Sequence, residues 1–193
     1  MNPGTAAEKT SPGLWKPGTW LGFLWGFAEG TLFFIIPDVI ISWAALAGVR
    51  CGVRMLGTVL GGALVAGFAM YLWAAEWPDT SRAVVASVPF VRERMFDKVE
   101  QDYAAHGLAG MLYGPGSGIP YKVYAVLAPS QHRPFAFLLL SIPARLERFA
   151  LSWLVFAGIG WMFQPSIRAH TKFTTLLFAV FWVVTYAFYW SRS

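Results

Sequence analysis

The residues able to do chemistry in this chain are a few ionised side chains set in very apolar surroundings. Glu29 and Asp38 lie in the apolar region 19–49, and Lys122, Arg145, Glu147 and Arg148 lie in the apolar region 108–161. An ionised side chain near the centre of a bilayer costs about 2.5–3.5 kcal/mol on insertion scales. Groups so placed must pair, line a wet cavity or reach an interface. Their distribution is lopsided, with acids alone in the first half and mostly bases in the second. Arg145 and Arg148 are three residues apart and share one face of a helix. Two guanidinium forks on one face suit a phosphate, which arginine meets in a planar, bidentate geometry. Burial in a membrane cavity disfavours the charged form of a carboxylate, which suits Glu29 and Asp38 to proton uptake and release. The bland alternative is ion pairing between the two halves, and Glu147 is read that way.

Other chemistries find little support. Gly116-Ser117-Gly118 invites a nucleophile reading, but Pro115 stands where a rhomboid-type protease would need glycine. His106, His132 and His170 fall in loops or at segment ends, away from any spanning helix that could offer a base. They are also too scattered for a metal site, and Cys51 is the single cysteine, so no disulfide forms within the chain. Catalytic residues, metal and cofactor are therefore all expected to be absent.

The elements that must position these charges are membrane segments. Of the 193 residues, 56% are hydrophobic and 13% charged, against about 45–50% and about 25% for soluble domains. Stretches 55–75 and 173–191 hold no charged residue, and each has the ~20 residues a hydrocarbon core requires. Residues 1–18 read as a disordered tail, and 19–193 as a single membrane domain. Within that domain, 19–75 is a first repeat, 76–106 a polar amphipathic linker, 107–163 a second repeat and 172–190 the last transmembrane helix. Residues 50–54 read as a short basic turn and 164–172 as a basic connector. Tyr186, Tyr189 and Trp190 are expected as interface anchors. Gly57, Gly61, Gly62 and Gly67 would let another helix approach 55–75 closely. The linker places Phe90, Val91, Met95, Phe96, Val99 and Tyr103 near helical spacing among mixed charges, which are expected to form a solvated face.

Both repeats are interrupted. Pro37 breaks the first, and Gly116, Gly118 and Pro120 break the second. Ile36-Pro37-Asp38 and the apolar run after it parallel Ile119-Pro120-Tyr121-Lys122 and its own apolar run. Interrupted apolar segments at matching places in two halves point to a transport site. The expected fold is an all-α integral membrane protein. It has two inverted, broken (re-entrant) hairpins, each followed by a spanning helix, with an amphipathic linker and a C-terminal transmembrane helix. The net charge of +5 is read as orientation and contact with anionic lipid rather than nucleic-acid binding.

Phe27-Ala28-Glu29, Pro37-Asp38 and the run ending Ala45-Leu46-Ala47-Gly48 resemble the first re-entrant hairpin of the DedA family, also called the VTT or SNARE-associated domain. Gly118-Ile119-Pro120-Tyr121-Lys122-Val123, Pro134-Phe135 through Ser141, and Arg145 to Arg148-Phe149 are similar to its second half, especially in the YqaA-like branch. The resemblance implies movement of phospholipids or polyprenyl phosphates across the bilayer, often with proton coupling. It places Glu29 and Asp38 on the family's acidic pair. Better-studied members have Arg, an aromatic, Pro and a second Arg in the second hairpin. Here Ser117 precedes Pro120 by three residues and Lys122 follows it by two, so Lys122 is the nearest basic substitute.

The expectation is a transporter, not an enzyme, in a bacterial inner membrane. Glu29 and Asp38 would couple protons or gate the substrate, and Lys122, Arg145 and Arg148 would bind a lipid phosphate. Its partners would be anionic lipids and protons, with a homo-oligomer allowed. The alternative is a scaffold or assembly factor that transports nothing.

Overall fold

The computed structural model describes residues 14–191. The tail expected at 1–18 lies largely outside the described residues, as do the side chains of Tyr189 and Trp190. Every regular element among the described residues is helical. In chain order these are α1 (Thr19–Gly30), α2 (Asp38–Ala47), α3 (Val49–Glu76), α4 (Pro78–Ala86) and α5 (Glu93–His106). A tight 3-10 stretch, Gly107–Tyr113, leads into α6 (Gly114–Ser117) and α7 (Tyr121–Leu127). After Ala128–Gln131 come α8 (Pro134–Met162), α9 (Gln164–Ala169) and α10 (Thr171–Ser191).

Two of these, α3 and α10, are long and apolar enough to cross a membrane. They differ in setting, since 44% of the apolar window in α3 is buried within the protein and only 6% of that in α10. Phe173, Leu177, Val180 and Val184 of α10 are exposed, as lipid-facing residues would be. At 29 residues, α8 is about 43 Å long, more than a hydrocarbon core requires, and it carries Arg145, Glu147 and Arg148 at its middle. It runs unbroken through Pro143.

The path of the first half follows from glycine. A Cβ on Gly22 would meet Met55 and Thr58, one on Gly26 would strike the Val59 backbone, and one on Gly30 would press Ala66. Contacts that advance along both helices together mean that α1 and α3 run side by side in the same direction. The chain must therefore come back between them, and α2 does this in ten residues. Gly48, at φ 152°, then turns it directly into α3. That one residue suffices for the reversal, so 50–54 is helical rather than the basic turn expected. Along the same helix, Gly62 lies against the Phe23 backbone and Gly67 against Tyr121, whereas Gly57 faces open space.

The long helix of the second half runs the other way. Gly52 of α3 abuts Trp153, and Tyr71 lies 5.3 Å ring to ring from Phe137, so α3 and α8 are antiparallel. Antiparallel to α8 in turn is α10: Phe178 meets Phe156 edge-on and Trp182 stacks on it, while the later Tyr186 lines a cavity with the earlier Arg148.

Four further expectations need correction. The linker contains a separate helix, α4, started by Pro78 at a position where its missing N–H costs nothing. Phe90 falls outside α5 altogether. Nor is α5's polar side wholly solvated, because Asp102 is buried with Phe96, Val99 and Tyr103. The segment 164–172 is not a plain connector, since α9 occupies most of it.

Candidate functional site

The chain leaves α1 at Gly30 and enters α2 at Asp38, and residues 31–37 between them are not helical. Backbone that leaves helical bonding away from water must find other partners. Thr31 Oγ1 donates to the Ala28 carbonyl at 2.8 Å and so closes α1. Trp25 Nε1 donates to the Ile35 carbonyl at 3.1 Å, and the Ile36 N–H donates to Tyr186 Oη at 2.8 Å. Lys122 Nζ donates to the Phe33 carbonyl at 2.7 Å. Three helices, α1, α7 and α10, thus hold one break. Tyr186, expected as an interface anchor, supplies the acceptor for this break.

Pro37, itself buried, ends this break and delivers Asp38 to the first turn of α2, where the helix dipole favours a carboxylate. The second break is shorter. Gly118, at φ 73°, and Pro120 make it, with Ser117 Oγ donating to the Gly114 carbonyl at 2.9 Å. Gly116, expected to be part of that break, lies inside the single turn of α6, which closes before the chain bends.

The sequence-selected charges converge here. Glu29 and Arg145, each 4% exposed, form an ion pair. Arg148 donates to Asp38 at 3.0 Å, and Ser152 donates to the other carboxylate oxygen of Asp38. Each acid of the first half is therefore paired with a base of the second. Arg145 is also sandwiched by aromatic faces, its guanidinium carbon 4.9 Å from the Tyr121 ring and 4.6 Å from the Phe149 ring. Such contacts favour a cation that has left water. Tyr121 in turn donates to Ser141 at 2.7 Å, and Ser141 donates to the Phe137 carbonyl at 2.7 Å, which fixes the ring. Glu147 stands apart, on the exposed side of α8.

These groups border a cavity of about 290 Å³. Glu29, Lys122, Arg145 and Arg148 line it, with Phe33, Phe34 and Phe90 on one wall and Trp182 and Tyr186 on another. Counting Asp38, the cluster holds two acids and three bases, a formal charge of 3 − 2 = +1. Lys122 is the residue left over. It is 2% exposed, forms no ion pair among the described residues and donates to the Phe33 carbonyl, with Glu29 near enough to act on it electrostatically. Two further N–H donors of lining residues, Arg145 Nε and Trp182 Nε1, are buried without an acceptor.

One wall is strained. Phe90 sits at φ 71°, a left-handed backbone in which a bulky residue is an outlier costing about 1–3 kcal/mol. Its ring lies 6.1 Å from Phe34, which in turn lies 5.7 Å from Phe33.

Sequence reasoning missed Ser152, Tyr121, Trp182 and Tyr186. A signal for Ser152 was present, since it follows Arg148 by four residues and shares its helix face. Nothing in the local sequence marks Trp182 or Tyr186, because α10 reaches the site only through tertiary packing. No family model, curated protein or solved structure matches this chain.

Proposed function

We propose that the chain is a membrane transporter of the DedA type that moves a phosphate-bearing lipid across the bilayer, with a proton exchanged at Glu29. The observation that carries this reading is Lys122, a buried ammonium hydrogen-bonded to the Phe33 carbonyl, whose nearby acid, Glu29, is already paired with Arg145, in a cavity whose unmet hydrogen-bonding demand is for acceptors. A lipid phosphate supplies both the missing negative charge and the oxygens. Arg148 is suited to follow it, because its side chain is 33% exposed while that of its partner Asp38 is 4% exposed.

The pairing suggests how a proton would be linked to the phosphate. Protonation of Glu29 removes the charge that occupies Arg145. The cluster then rises from +1 to +2, and Arg145 becomes available to the phosphate. Loss of the proton restores the pair and ejects the anion. In a bilayer, the path of α1, the break and α2 reads as a re-entrant hairpin. The opposed directions of α3 and α8 support an inverted second repeat, the architecture in which transporters place their sites.

A second reading has an observation of its own. Both acids are already paired with arginine, as in a scaffold whose buried charges lock two halves together. Translocation of fluorescent phospholipids and a polyprenyl phosphate in proteoliposomes, with and without a pH gradient, separates the two. Movement that responds to the gradient and is lost in Glu29→Gln and Lys122→Gln is expected. Absence of movement from folded wild-type protein favours the scaffold. So does recovery of full function by the charge exchange Glu29→Arg with Arg145→Glu.

A further inference from the structure

Asp102 is the buried acid that the cavity cluster does not use. It lies on α5 and is 6% exposed. Its Oδ1 accepts from Lys98 Nζ at 2.6 Å, and the Lys98 side chain is 54% exposed, so the ammonium bound to this end of the carboxylate reaches solvent. Its Oδ2 is buried and makes no short, well-aligned hydrogen bond among the described residues. The stretch Gly107–Tyr113 covers it so closely that a Cβ on Gly110 would strike the Asp102 backbone.

Across from Asp102 stands Tyr124 of α7. Its buried hydroxyl has the Ser117 hydroxyl and the Asp102 carboxyl as its hydrogen-bonding neighbours, though neither contact is short and well aligned. Tyr124 lines the same cavity as Glu29 and Lys122. Tyr103 fixes its position by donating to the Tyr124 carbonyl at 2.9 Å. The groups facing Asp102 are thus Lys98 on its own helix and Tyr124 from α7, with Gly110 contributing backbone alone. Arg82 of α4 is engaged elsewhere, with Glu93 and Glu100.

We infer that Asp102 and Tyr124 form the proton inlet from solvent beside α5 to the cavity. The inference rests on the proton-coupled reading above. A buried carboxyl and phenol that face one another without a short, well-aligned bond suit exchange through a single bridging water. A proton taken up by Asp102 passes to that water, which gives one of its own to Tyr124 Oη. Tyr124 releases its hydroxyl proton into the cavity, where the Glu29 carboxylate accepts it. Tyr124 and the water end neutral, and one proton has moved inward. Asp102 is a relay and touches no substrate.

The test is gradient-driven proton uptake into phosphatidylethanolamine–phosphatidylglycerol liposomes that hold the full chain and trapped pyranine. Uptake is expected to fall about tenfold in Asp102→Asn and in Tyr124→Phe, both melting within a few degrees of wild type, and to return in Asp102→Glu. Wild-type uptake in both variants overturns the inlet. Loss in Asp102→Asn but not in Tyr124→Phe also overturns it, because the carboxylate would then act only through its charge. Wild-type uptake no greater than that of empty liposomes overturns the inlet together with the proton step at Glu29. Phosphate binding at Lys122 would then stand or fall on lipid movement alone.

Discussion

Glu29 and Arg145 meet across 116 positions of sequence, and the next arginine on the same face of α8, Arg148, meets Asp38. Sequence symmetry alone left open whether Glu29 would meet Arg148. The register instead pairs the earlier acid with the earlier base, so each acid has its own partner. Removing one member of a buried pair strands the other charge, which costs about 3–5 kcal/mol. Glu29→Gln should therefore lower the melting temperature sharply in detergent, and adding Arg145→Met to it should recover much of the loss. If the double variant melts no higher than the single one, the pair is not what holds these helices together.

The glycines of the first half separate into two kinds. Gly26→Val should cost about 1–3 kcal/mol or more, because the new side chain meets the Val59 backbone, which cannot move aside. Gly57→Ala should instead stabilise by about 0.5–1 kcal/mol, since nothing lies within 4 Å of the added methyl and alanine favours helix. Thermal denaturation of both variants checks the pair. Equal behaviour would mean that α1 does not lie against α3 as described.

Tyr186→Phe removes the acceptor for the Ile36 N–H. An orphaned buried donor costs about 1–3 kcal/mol. Hydrogen exchange should accelerate at Ile36 and its neighbours while α3 stays protected. Unchanged exchange in 31–37 would show that α10 does not support the break.

Arg82 bridges Glu93 at 2.5 Å and Glu100 at 2.6 Å, and so ties α4 to α5. The acids are exposed, so Arg82→Met should cost no more than about 1 kcal/mol, an effect that shrinks as salt is raised. Melting curves at low and high ionic strength would reveal a larger or salt-independent role.

Much of this site could be read from residue types. Charged side chains are expensive in apolar surroundings, so Glu29, Asp38, Lys122, Arg145 and Arg148 announce themselves wherever they occur. Pro37 and Pro120 likewise mark bends, because proline cannot continue a helix. Three things were not legible. Asp102 looked like one more charge on a solvated helix, and only packing of the 3-10 stretch over it reveals burial. Gly48 carried no sign that it alone would reverse the chain. The aromatic residues of α10 looked like lipid-facing anchors, and whether one turns inward depends on where α10 docks.

The two acids flank residues 31–37 from opposite sides, and one rigid helix holds both. Mechanically, α8 is a splint across that bend. The α1–α2 segment cannot straighten at its bend without breaking two ion pairs at once. While both pairs stand, that bend and α8 move as one block, and residues 88–91 are the part of the cavity lining outside it. There Phe90 already holds an uphill backbone state, so strain is stored in the lining opposite a frame that stays stiff until Glu29 is protonated.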